Sequence, residues 1–274
     1  MTIETVTVNL KAFNNLTMEM AKNDQQTNNI QITGFYERHT LFTIARGKHS
    51  RGYKNFIDIG ANMGYYTAVF SKISPDGVVY SFEPNPDVLP ILRGNIERNQ
   101  LTNVKLFEIG LGDQPTEMTL YSSHQNTGTT SVYQIPQHDV EHQIKISTLD
   151  HEIPGTSTTT FDFIKIDIQG HDLPAMNGGR DIIKRDLPDI MIEYGPMEIN
   201  LKREELLETF VFLSGYGYDP YIYRAHDFSC IEILNFEILM NLFDLYKING
   251  SKGGFHVLFM SRLRDKNIKS LGAL

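Results

Sequence analysis

Phe56-Ile57-Asp58-Ile59-Gly60-Ala61-Asn62-Met63-Gly64 is the stretch that decides the fold of this chain. Its apolar start predicts a buried strand, and the glycines that follow predict a turn that opens a helix and lets a ligand approach the backbone closely. Glu83 stands nineteen residues after Gly64, at the end of a second apolar run. A carboxylate at the end of the next strand can accept hydrogen bonds from both hydroxyls of a ribose. The pattern therefore indicates a site for a nucleotide-type cofactor.

The glycine spacing separates two kinds of cofactor. A dinucleotide fingerprint has the pattern GxGxxG, but counting from Gly60 this chain has Asn62 and Tyr65 at the second and third glycine places. The cradle for a pyrophosphate is therefore incomplete. An acidic strand end at Asp58, followed by GxNxG and a distant glutamate, suits S-adenosylmethionine, which carries positive amino and sulfonium groups and no phosphate. We expect Asp58 to lie near that cationic end.

Length and composition limit the possible functions. A chain of 274 residues that is 41% hydrophobic can bury one large α/β core. The formal net charge of -8 argues against nucleic acid as a partner, because such binding rests on Lys and Arg that neutralise phosphates. A single cysteine, Cys230, excludes an internal disulfide and a multi-cysteine metal site. The sequence shows no signal-like start and no transmembrane segment, so we expect a cytoplasmic protein, with peripheral membrane contact left open.

Apolar runs alternate with helical segments from Phe56 onward, which predicts parallel strands joined by right-handed crossovers. After Glu83, Asn85 is the predicted cap of a helix and Pro86 fits its first turn. Between Met118 and Ser147 the pattern breaks into short alternating pieces, which predicts a small β insertion after the third strand. The predicted strands are Asn55–Ile59, Val78–Phe82, Val104–Ile109, Phe161–Ile166, Ile190–Ile192, Tyr221–Tyr223 and Phe255–Met260.

The two ends of the chain have weaker patterns. Thr2 to Leu10 alternates polar and apolar residues and predicts a short strand, and Asn14 to Asn29 is polar and predicts a surface connection. Phe35 to Ala45 has helical spacing and stops at Gly47, so this helix either covers the ligand or packs on the sheet. Ile231 to Ile248 is strongly apolar. We favour a packed helix there over a substrate-facing lid or a dimer contact, which would make the protein a homodimer.

Several blocks of the sequence, taken together, resemble the FkbM-type family of class I S-adenosylmethionine-dependent methyltransferases. Any one block is weak evidence, but five in the right order are specific for the fold and the cofactor. Together they span about Tyr36 to Glu193. The blocks are Asp58 to Gly64 with Phe82-Glu83-Pro84-Asn85-Pro86, then Gly110-Leu111-Gly112-Asp113, Gly128-Thr129-Thr130-Ser131, Thr148-Leu149-Asp150 and Lys165-Ile166-Asp167-Ile168-Gln169-Gly170-His171.

The resemblance implies a Rossmann-like α/β fold with a seven-stranded, mostly parallel sheet, an antiparallel last strand and helices on both faces. Cofactor and acceptor would lie at the carboxyl ends of the strands, as is general for open α/β sheets. We therefore divide the chain into residues 1–50, an amino-terminal strand, loop and covering helix, and residues 51–274, a class I methyltransferase domain.

The resemblance also implies which residues hold S-adenosylmethionine. Gly60, Asn62 and Gly64 would line its methionine end. Glu83 would hold the ribose, and Asn85 with the Gly110 to Asp113 turn would border the adenine. The full set of implied cofactor residues is Asp58, Gly60, Ala61, Asn62, Gly64, Glu83, Asn85, Gly110, Leu111, Asp113 and Asp167.

Catalysis in such a site needs alignment more than a strong base, because a sulfonium is already a good leaving group. His171 is the first candidate for a general base, since it follows the fourth strand and its imidazole suits proton removal near neutrality. Asp167 and Glu193 end the fourth and fifth strands, where they could position a hydroxyl or assist proton removal. The family usually has an acid where this chain has Gln169, so oxygens for a divalent metal are few. A metal is not expected, although magnesium stays an option. Further candidate acceptor contacts are Tyr194, Asn126 and Thr130.

The expected function is an S-adenosylmethionine-dependent O-methyltransferase that acts on a hydroxyl of a small molecule, a sugar or glycan, or a lipid. This acceptor class is implied by the resemblance alone. One alternative is an N-methyltransferase of a small molecule or protein. The other, motivated by Gln169, is a module that binds the cofactor without catalysis.

Overall fold

The computed structural model describes residues 3–13, 16–123, 126–155, 157–194, 203–223, 230–233, 235–248 and 255–264. The strands in these ranges are β1 Thr5–Leu10, β2 Leu16–Ala21, β3 Phe56–Ile59, β4 Val79–Phe82, β5 Val104–Phe107, β6 Gly110–Leu111, β7 Thr116–Ser122, β8 Val140–Ser147, β9 Phe163–Ile166, β10 Asp189–Tyr194, β11 Tyr218–Tyr223, β12 Cys230–Glu232 and β13 Phe255–Ser261. The α-helices are α1 Gln25–Thr33, α2 Arg38–Ser50, α3 Tyr65–Ile73, α4 Leu89–Arg98, α5 Leu149–Glu152, α6 Asp172–Asn177, α7 Arg180–Asp186, α8 Arg203–Gly215 and α9 Phe236–Ile248.

The main sheet of the described residues has eight strands, in the order β12-β11-β13-β10-β9-β3-β4-β5. Strands β5, β4, β3, β9 and β10 run parallel, whereas β13 is antiparallel to its neighbours β10 and β11. The predicted α/β class with an antiparallel last strand is confirmed, and all seven predicted strands are present. The additional strand, β12, pairs with the edge of β11 and occupies the start of the apolar stretch that was predicted as a helix.

Helices cover both faces of the sheet, so every residue of β3, β4 and β9 is buried. On one face Phe56 stacks on Phe70 of α3, with ring centroids 4.6 Å apart. These strands nevertheless carry three polar residues, Asp58, Ser81 and Lys165, and all three are buried. Buried polar groups need partners. Their presence in otherwise apolar strands therefore points to the functional end of the sheet.

The amino-terminal segment is more structured than its sequence predicted. β1 and β2 form an antiparallel hairpin, and α1 begins at Gln25, so the surface connection predicted over Asn14 to Asn29 was wrong. Leu16, Met18 and Met20 are buried at alternating positions of β2. Polar neighbours between them concealed this alternation in a region rich in Asn, Gln and Thr.

Two predicted helix ends were also wrong. α2 continues through Gly47, and a Cβ atom there would lie 1.9 Å from the ring of Tyr53. Gly47 is therefore required by close packing inside the helix and does not end it. α4 begins at Leu89, because the Asn85 side chain accepts a hydrogen bond from the backbone N–H of Asp87 at 3.0 Å and forms a turn ahead of the helix.

The remaining predictions concern the insertion and the last helix. The β insertion is confirmed, since β6, β8 and β7 form a separate three-stranded sheet in that order. α9 occupies the second part of the Ile231 to Ile248 stretch, with Leu239 and Met240 buried and Ile238 partly exposed.

The side chain of Cys230 lies outside the described part of the structure. Among the described residues, no helix is both long and apolar enough to cross a membrane.

Candidate active site

Four strand ends meet at the carboxyl edge of the main sheet. β3 leads into Gly60, β4 into Glu83 and β9 into Asp167, while β10 carries Glu193 near its end. The four strands are direct neighbours in the sheet. Residues that were predicted from separate blocks of sequence are therefore brought to one edge, where open α/β sheets bind their ligands.

The turn after β3 depends on residues that tolerate a left-handed backbone. Gly60 has φ 82°, and a Cβ atom there would lie 2.0 Å from the carbonyl oxygen of Asp167. Asn62 also has a positive φ, 50°, and Gly64 precedes α3 with φ 88°. A side chain at position 60 would separate β3 from β9. The turn therefore needs glycine there for both its conformation and its contact.

Glu83 is tied to this turn by two backbone amides. Its Oε2 accepts a hydrogen bond from the Asn62 N–H at 2.7 Å, and its Oε1 accepts one from the Asn85 N–H at 2.8 Å. Burial, opposed in part by these two bonds, raises the pKa of the Glu83 carboxyl to about 7. A carboxylate has about four acceptor positions, so two remain for hydroxyls of a ligand.

A pocket called cavity 1 lies between the turn and the β insertion and contains about 700 Å³ when the solvent at its open mouth is counted. The insertion contributes part of its apolar wall, including Leu120, Ile144 and Ile146. Such a wall with a few convergent polar groups is typical of a small-molecule site. The predicted residues that line it are Gly60, Asn62, Glu83, Asn85, Gly110, Leu111, Thr130, Asp167 and His171.

Cavity 2, which contains about 910 Å³ when the solvent at its open mouth is counted, adjoins cavity 1 and is more polar. The two cavities share wall residues, among them Gly60, Asn62 and Asp167. Asn62 Oδ1 and Gln26 Oε1 are buried acceptor atoms for which the described residues supply no donor, and both residues line cavity 2. Other residues of its wall are Asp24, Tyr36, Ala61, Tyr65, Tyr66, Asn126, Lys165 and Glu193.

Lys165 is the buried cation of this site. Its Nζ donates to Asp167 Oδ2 at 2.9 Å and lies 4.7 Å from the centre of the Tyr66 ring. Burial disfavours the charged ammonium, but Asp167 and other nearby carboxylates raise the pKa of Lys165 above its usual range. Gln169 donates to the other oxygen of Asp167 at 3.0 Å. The Asp167 carboxylate is thus held in place by two side chains.

A second buried group lies beside Glu193. His256 Nε2 lies 3.1 Å from Glu37 Oε2 and 3.4 Å from Glu193 Oε2, and His256 Nδ1 lies 2.8 Å from His39 Nε2. Burial lowers the pKa of His256, but the charges of Glu37 and Glu193 outweigh it and raise that pKa to about 10. Burial, and then the charge of Asp167, raise the pKa of Glu193 to about 7.

Sequence reasoning missed Glu37, His39 and His256. Glu37 directly precedes α2, His39 lies in α2, and His256 lies in β13. Glu37 and His39 carry no recognisable spacing signal. His256 had one, because it is a polar residue inside the apolar run of β13 and is buried there. Lys165 offered the same signal in β9.

Several predicted residues lie elsewhere. Asp58 is buried under the turn, where Oδ2 accepts from Thr67 Oγ1 at 2.6 Å, and it is not among the described residues that line either cavity. Asp113 is exposed, and Gly64 packs against Leu92. The direction of the Asp58 side chain follows from strand alternation, because neighbouring residues point to opposite faces.

His171 lies in the wall of cavity 1, and a Cβ atom at Gly112 would come within 3.2 Å of its Nε2. It is not among the described residues that line cavity 2, where Glu193 lies. Of the candidate acceptor contacts, Asn126 lines cavity 2 and Thr130 lines cavity 1. Tyr194 is buried and borders neither cavity.

Comparison with known proteins identifies the family of this chain. The family described as methyltransferase FkbM domain matches residues 58–220, which is more than half of the chain. Methyltransferase 1 from Beauveria bassiana (strain ARSEF 2860) is 23% identical over 141 residues, covering 44% of this chain and 57% of that protein. The 2-O-methyltransferase NoeI from Sinorhizobium fredii (strain NBRC 101917 / NGR234) is 23% identical over 158 residues, covering 52% of this chain and 64% of that protein.

Among solved structures, a methyltransferase FkbM from Methylobacillus flagellatus KT matches 76% of this chain and 43% of its own, with 16% identity and a TM-score of 0.49. The chain therefore matches less than two thirds of the length of each of these relatives.

Proposed function

Since the chain belongs to the methyltransferase FkbM domain family, we propose that it binds S-adenosylmethionine and transfers the methyl group to a hydroxyl of a small molecule, a sugar or glycan, or a lipid. The observation that carries the proposal is the pair of adjoining cavities, with the Glu83 carboxylate in one and the Glu193 carboxylate in the other. The choice of oxygen as acceptor atom draws on the relative that is named a 2-O-methyltransferase.

The donor set of the site fits this cofactor. Glu83 offers two free acceptor positions to a ribose, and the apolar wall of cavity 1 suits a flat adenine. Asn62 Oδ1, a buried acceptor that lacks a donor among the described residues, suits the positive amino group at the junction of the cavities. A pyrophosphate would need donors at this turn, whereas the turn directs its Asn62 N–H to Glu83.

When bound, S-adenosylmethionine supplies a methyl group on a positive sulfur, which is a good leaving group. The chain then has to align the acceptor and exclude water, and alignment alone supplies roughly 7 to 11 kcal/mol of a barrier. Asp167 is held by Lys165 and Gln169, so it can position an acceptor hydroxyl without moving. Glu193, with a pKa of about 7, can accept the proton of that hydroxyl near neutral pH.

The activity is tested with S-adenosylmethionine labelled in the methyl group and a library of sugars, glycans, lipids and small alcohols. We expect a labelled methyl ether, with added Mg²⁺, Mn²⁺ or Zn²⁺ compared with a chelator in parallel reactions. Tight cofactor binding without turnover on any acceptor would favour the non-catalytic module that Gln169 motivated. A labelled amine would favour the N-methyltransferase, which the several carboxylates in and beside cavity 2 could serve.

Replacing Glu83 tests the ribose contact separately. In Glu83→Ala we expect the Kd of S-adenosylhomocysteine to rise at least tenfold, because hydrogen bonds to a charged group contribute about 1.5 to 3 kcal/mol each. Titration calorimetry measures the Kd, and circular dichroism verifies the fold. Glu108→Ala is the control, since Glu108 pairs with Arg93 at the surface and borders neither cavity. An unchanged Kd in Glu83→Ala would refute the ribose contact.

A further inference from the structure

Three side chains from distant parts of the chain converge beside cavity 2. Glu37 precedes α2, Glu193 lies near the end of β10, and His256 lies in β13. One potential ligand atom from each residue lies within 4.8 Å of those from the other two. Imidazole nitrogen and carboxylate oxygen are both ordinary ligands of divalent metals.

The distances in this cluster are short, but they are not those of aligned hydrogen bonds. His256 Nε2 is buried and lies 3.1 and 3.4 Å from the two carboxylate oxygens, yet neither oxygen is in line for a hydrogen bond from it. For the two ligand pairs that include His256 Nε2, atoms about 2.1 Å from a common metal and separated by 3.1 and 3.4 Å would subtend about 95 and 108° at that metal. Those angles lie between octahedral and tetrahedral geometry.

Two of the ligand groups are themselves held in orientation. His256 Nδ1 lies 2.8 Å from His39 Nε2, and the centroids of the two rings are 4.6 Å apart. This contact holds the His256 ring with Nε2 directed at the carboxylates. Tyr66 donates to Glu37 Oε2 at 2.5 Å. Metal-binding imidazoles and carboxylates are commonly fixed by such outer hydrogen bonds.

The local charges also favour an added cation. The acidic groups that face this region are Glu37, Glu193 and Asp167, with Asp58 behind them. Among the described residues, the cation other than His256 whose charge acts on Glu37 is Lys165, which is already paired with Asp167. Glu193 lines cavity 2, so a cation can reach the cluster from there.

We propose that Glu37, Glu193 and His256 form a binding site for a divalent first-row transition metal such as Zn²⁺ or Mn²⁺. One imidazole with two carboxylates suits these ions better than Mg²⁺, which prefers oxygen ligands throughout. Three protein ligands leave coordination positions open, as in catalytic metal sites. If the proposed methyl transfer is correct, the bound metal would replace Glu193 in activating the acceptor: it would lower the pKa of a hydroxyl at an open position in cavity 2, so that the proton could pass to solvent.

Metal binding is measured on the full chain without cofactor or acceptor. The protein is stripped with a chelator and titrated with Zn²⁺ and with Mn²⁺ by calorimetry, and Co²⁺ serves as a visible spectroscopic probe. We expect one equivalent of metal, and at least tenfold weaker binding in His256→Gln and in Glu37→Gln. The matched control is His142→Gln, because His142 forms an aligned 2.8 Å hydrogen bond with a single carboxylate, Asp87.

The possible results separate the proposals. A wild-type protein that binds no metal, or binds it as tightly in both variants as in the control, would overturn the site and leave a buried ion pair. If His256→Gln does not fold, Glu37→Gln decides, since it can still accept from Tyr66. Metal binding without turnover on any acceptor would retain the site and count against the methyl transfer. Turnover without metal binding would support the methyl transfer and overturn the metal site.

Discussion

Glu83 is the residue on which the proposed cofactor site depends most. Two backbone amides fix its position, and burial raises its pKa to about 7, so at neutral pH it is only partly ionised before a ligand binds. The ionised form is the better acceptor for ribose hydroxyls. Cofactor binding should therefore be linked to the loss of one proton.

The linkage predicts the direction of a pH effect. Ligand binding favours ionised Glu83, so affinity should rise with pH and level off above about 7. We expect the Kd of S-adenosylhomocysteine to be about tenfold higher at pH 6 than at pH 8, because about one site in ten is ionised at pH 6. Calorimetry at both pH values measures it. Glu83→Gln should remove the slope, and an equal slope in this variant would assign the proton to another group.

For His171, the role predicted from the sequence differs from the role that its position in the structure indicates. Its place after β9 suggested a general base, but its side chain lies in the wall of cavity 1, beside Gly112. We therefore expect His171→Ala to raise the Kd of S-adenosylhomocysteine several-fold and to change the single-turnover rate at saturating cofactor by less than about threefold. A general base typically contributes 10²- to 10⁴-fold. A rate loss of that size with a normal Kd would restore His171 as the base.

Site residues were predictable where a short motif holds them and unpredictable where the fold alone brings them together. The turn at Gly60 and the carboxylate of Glu83 lie at the ends of adjacent strands, so strand order was enough to join them. Glu37 and His256 are far apart in the chain and meet only because β13 inserts next to β10. No spacing rule encodes such a contact, and a buried histidine in an apolar strand was the only hint.

At the level of elements, α4 joins the amino-terminal hairpin to the rest of the protein through asparagine side chains. Asn95 accepts from the Glu19 N–H at 2.7 Å and donates to the Glu19 carbonyl at 2.8 Å, as a neighbouring strand would. Asn99, one turn later, makes the same pair of bonds with Thr17. These side chains occupy the free edge of β2, which would otherwise be open to pairing with another chain.

Removing one of these side chains should destabilise the protein measurably. Asn95 is buried and also donates to the Met63 carbonyl at 2.8 Å, so Asn95→Ala leaves three backbone groups without their partner. We expect the free energy of unfolding to fall by about 3 kcal/mol, since each buried unsatisfied group costs about 1 to 3 kcal/mol. Urea unfolding measures the loss. Asn99→Ala is the matched control with a smaller expected loss, because Asn99 is only half-buried. Equal losses would contradict the role assigned to burial.

The same asparagines explain why the hairpin was missed. A run rich in Asn, Gln and Thr favours a loop by composition. Here the apolar residues of β2 alternate, and its backbone bonds are completed by side chains of α4, which no local pattern announces. The parallel strands of the main sheet, in contrast, are mostly apolar runs that such a sheet buries on both faces, and these strands were predicted correctly.

At the level of the whole molecule, three parts of the chain meet at Thr127 in the insertion. Asp24, the cap of α1, accepts from the Thr127 N–H at 2.9 Å and from its hydroxyl at 3.0 Å. Asn62, in the turn after β3, donates to the same hydroxyl at 3.1 Å. These hydrogen bonds connect the amino-terminal segment, the turn after β3 and the insertion around the two cavities. The predicted division of the chain after residue 50 stays a prediction, and these contacts cross it.

Asp24→Ala should loosen this junction while leaving the main sheet intact. The variant loses the bonds to Thr127 as well as the α1 cap, so we expect faster hydrogen exchange over residues 25–33 and 126–130, and a Kd for S-adenosylhomocysteine raised about tenfold. Exchange mass spectrometry and calorimetry measure the two effects. Thr148→Ala is the control, because it removes a helix cap that borders neither cavity. If exchange in Asp24→Ala rises only over residues 25–33 and the Kd is unchanged, Asp24 is simply a helix cap, and closure of the cavities must depend on other contacts.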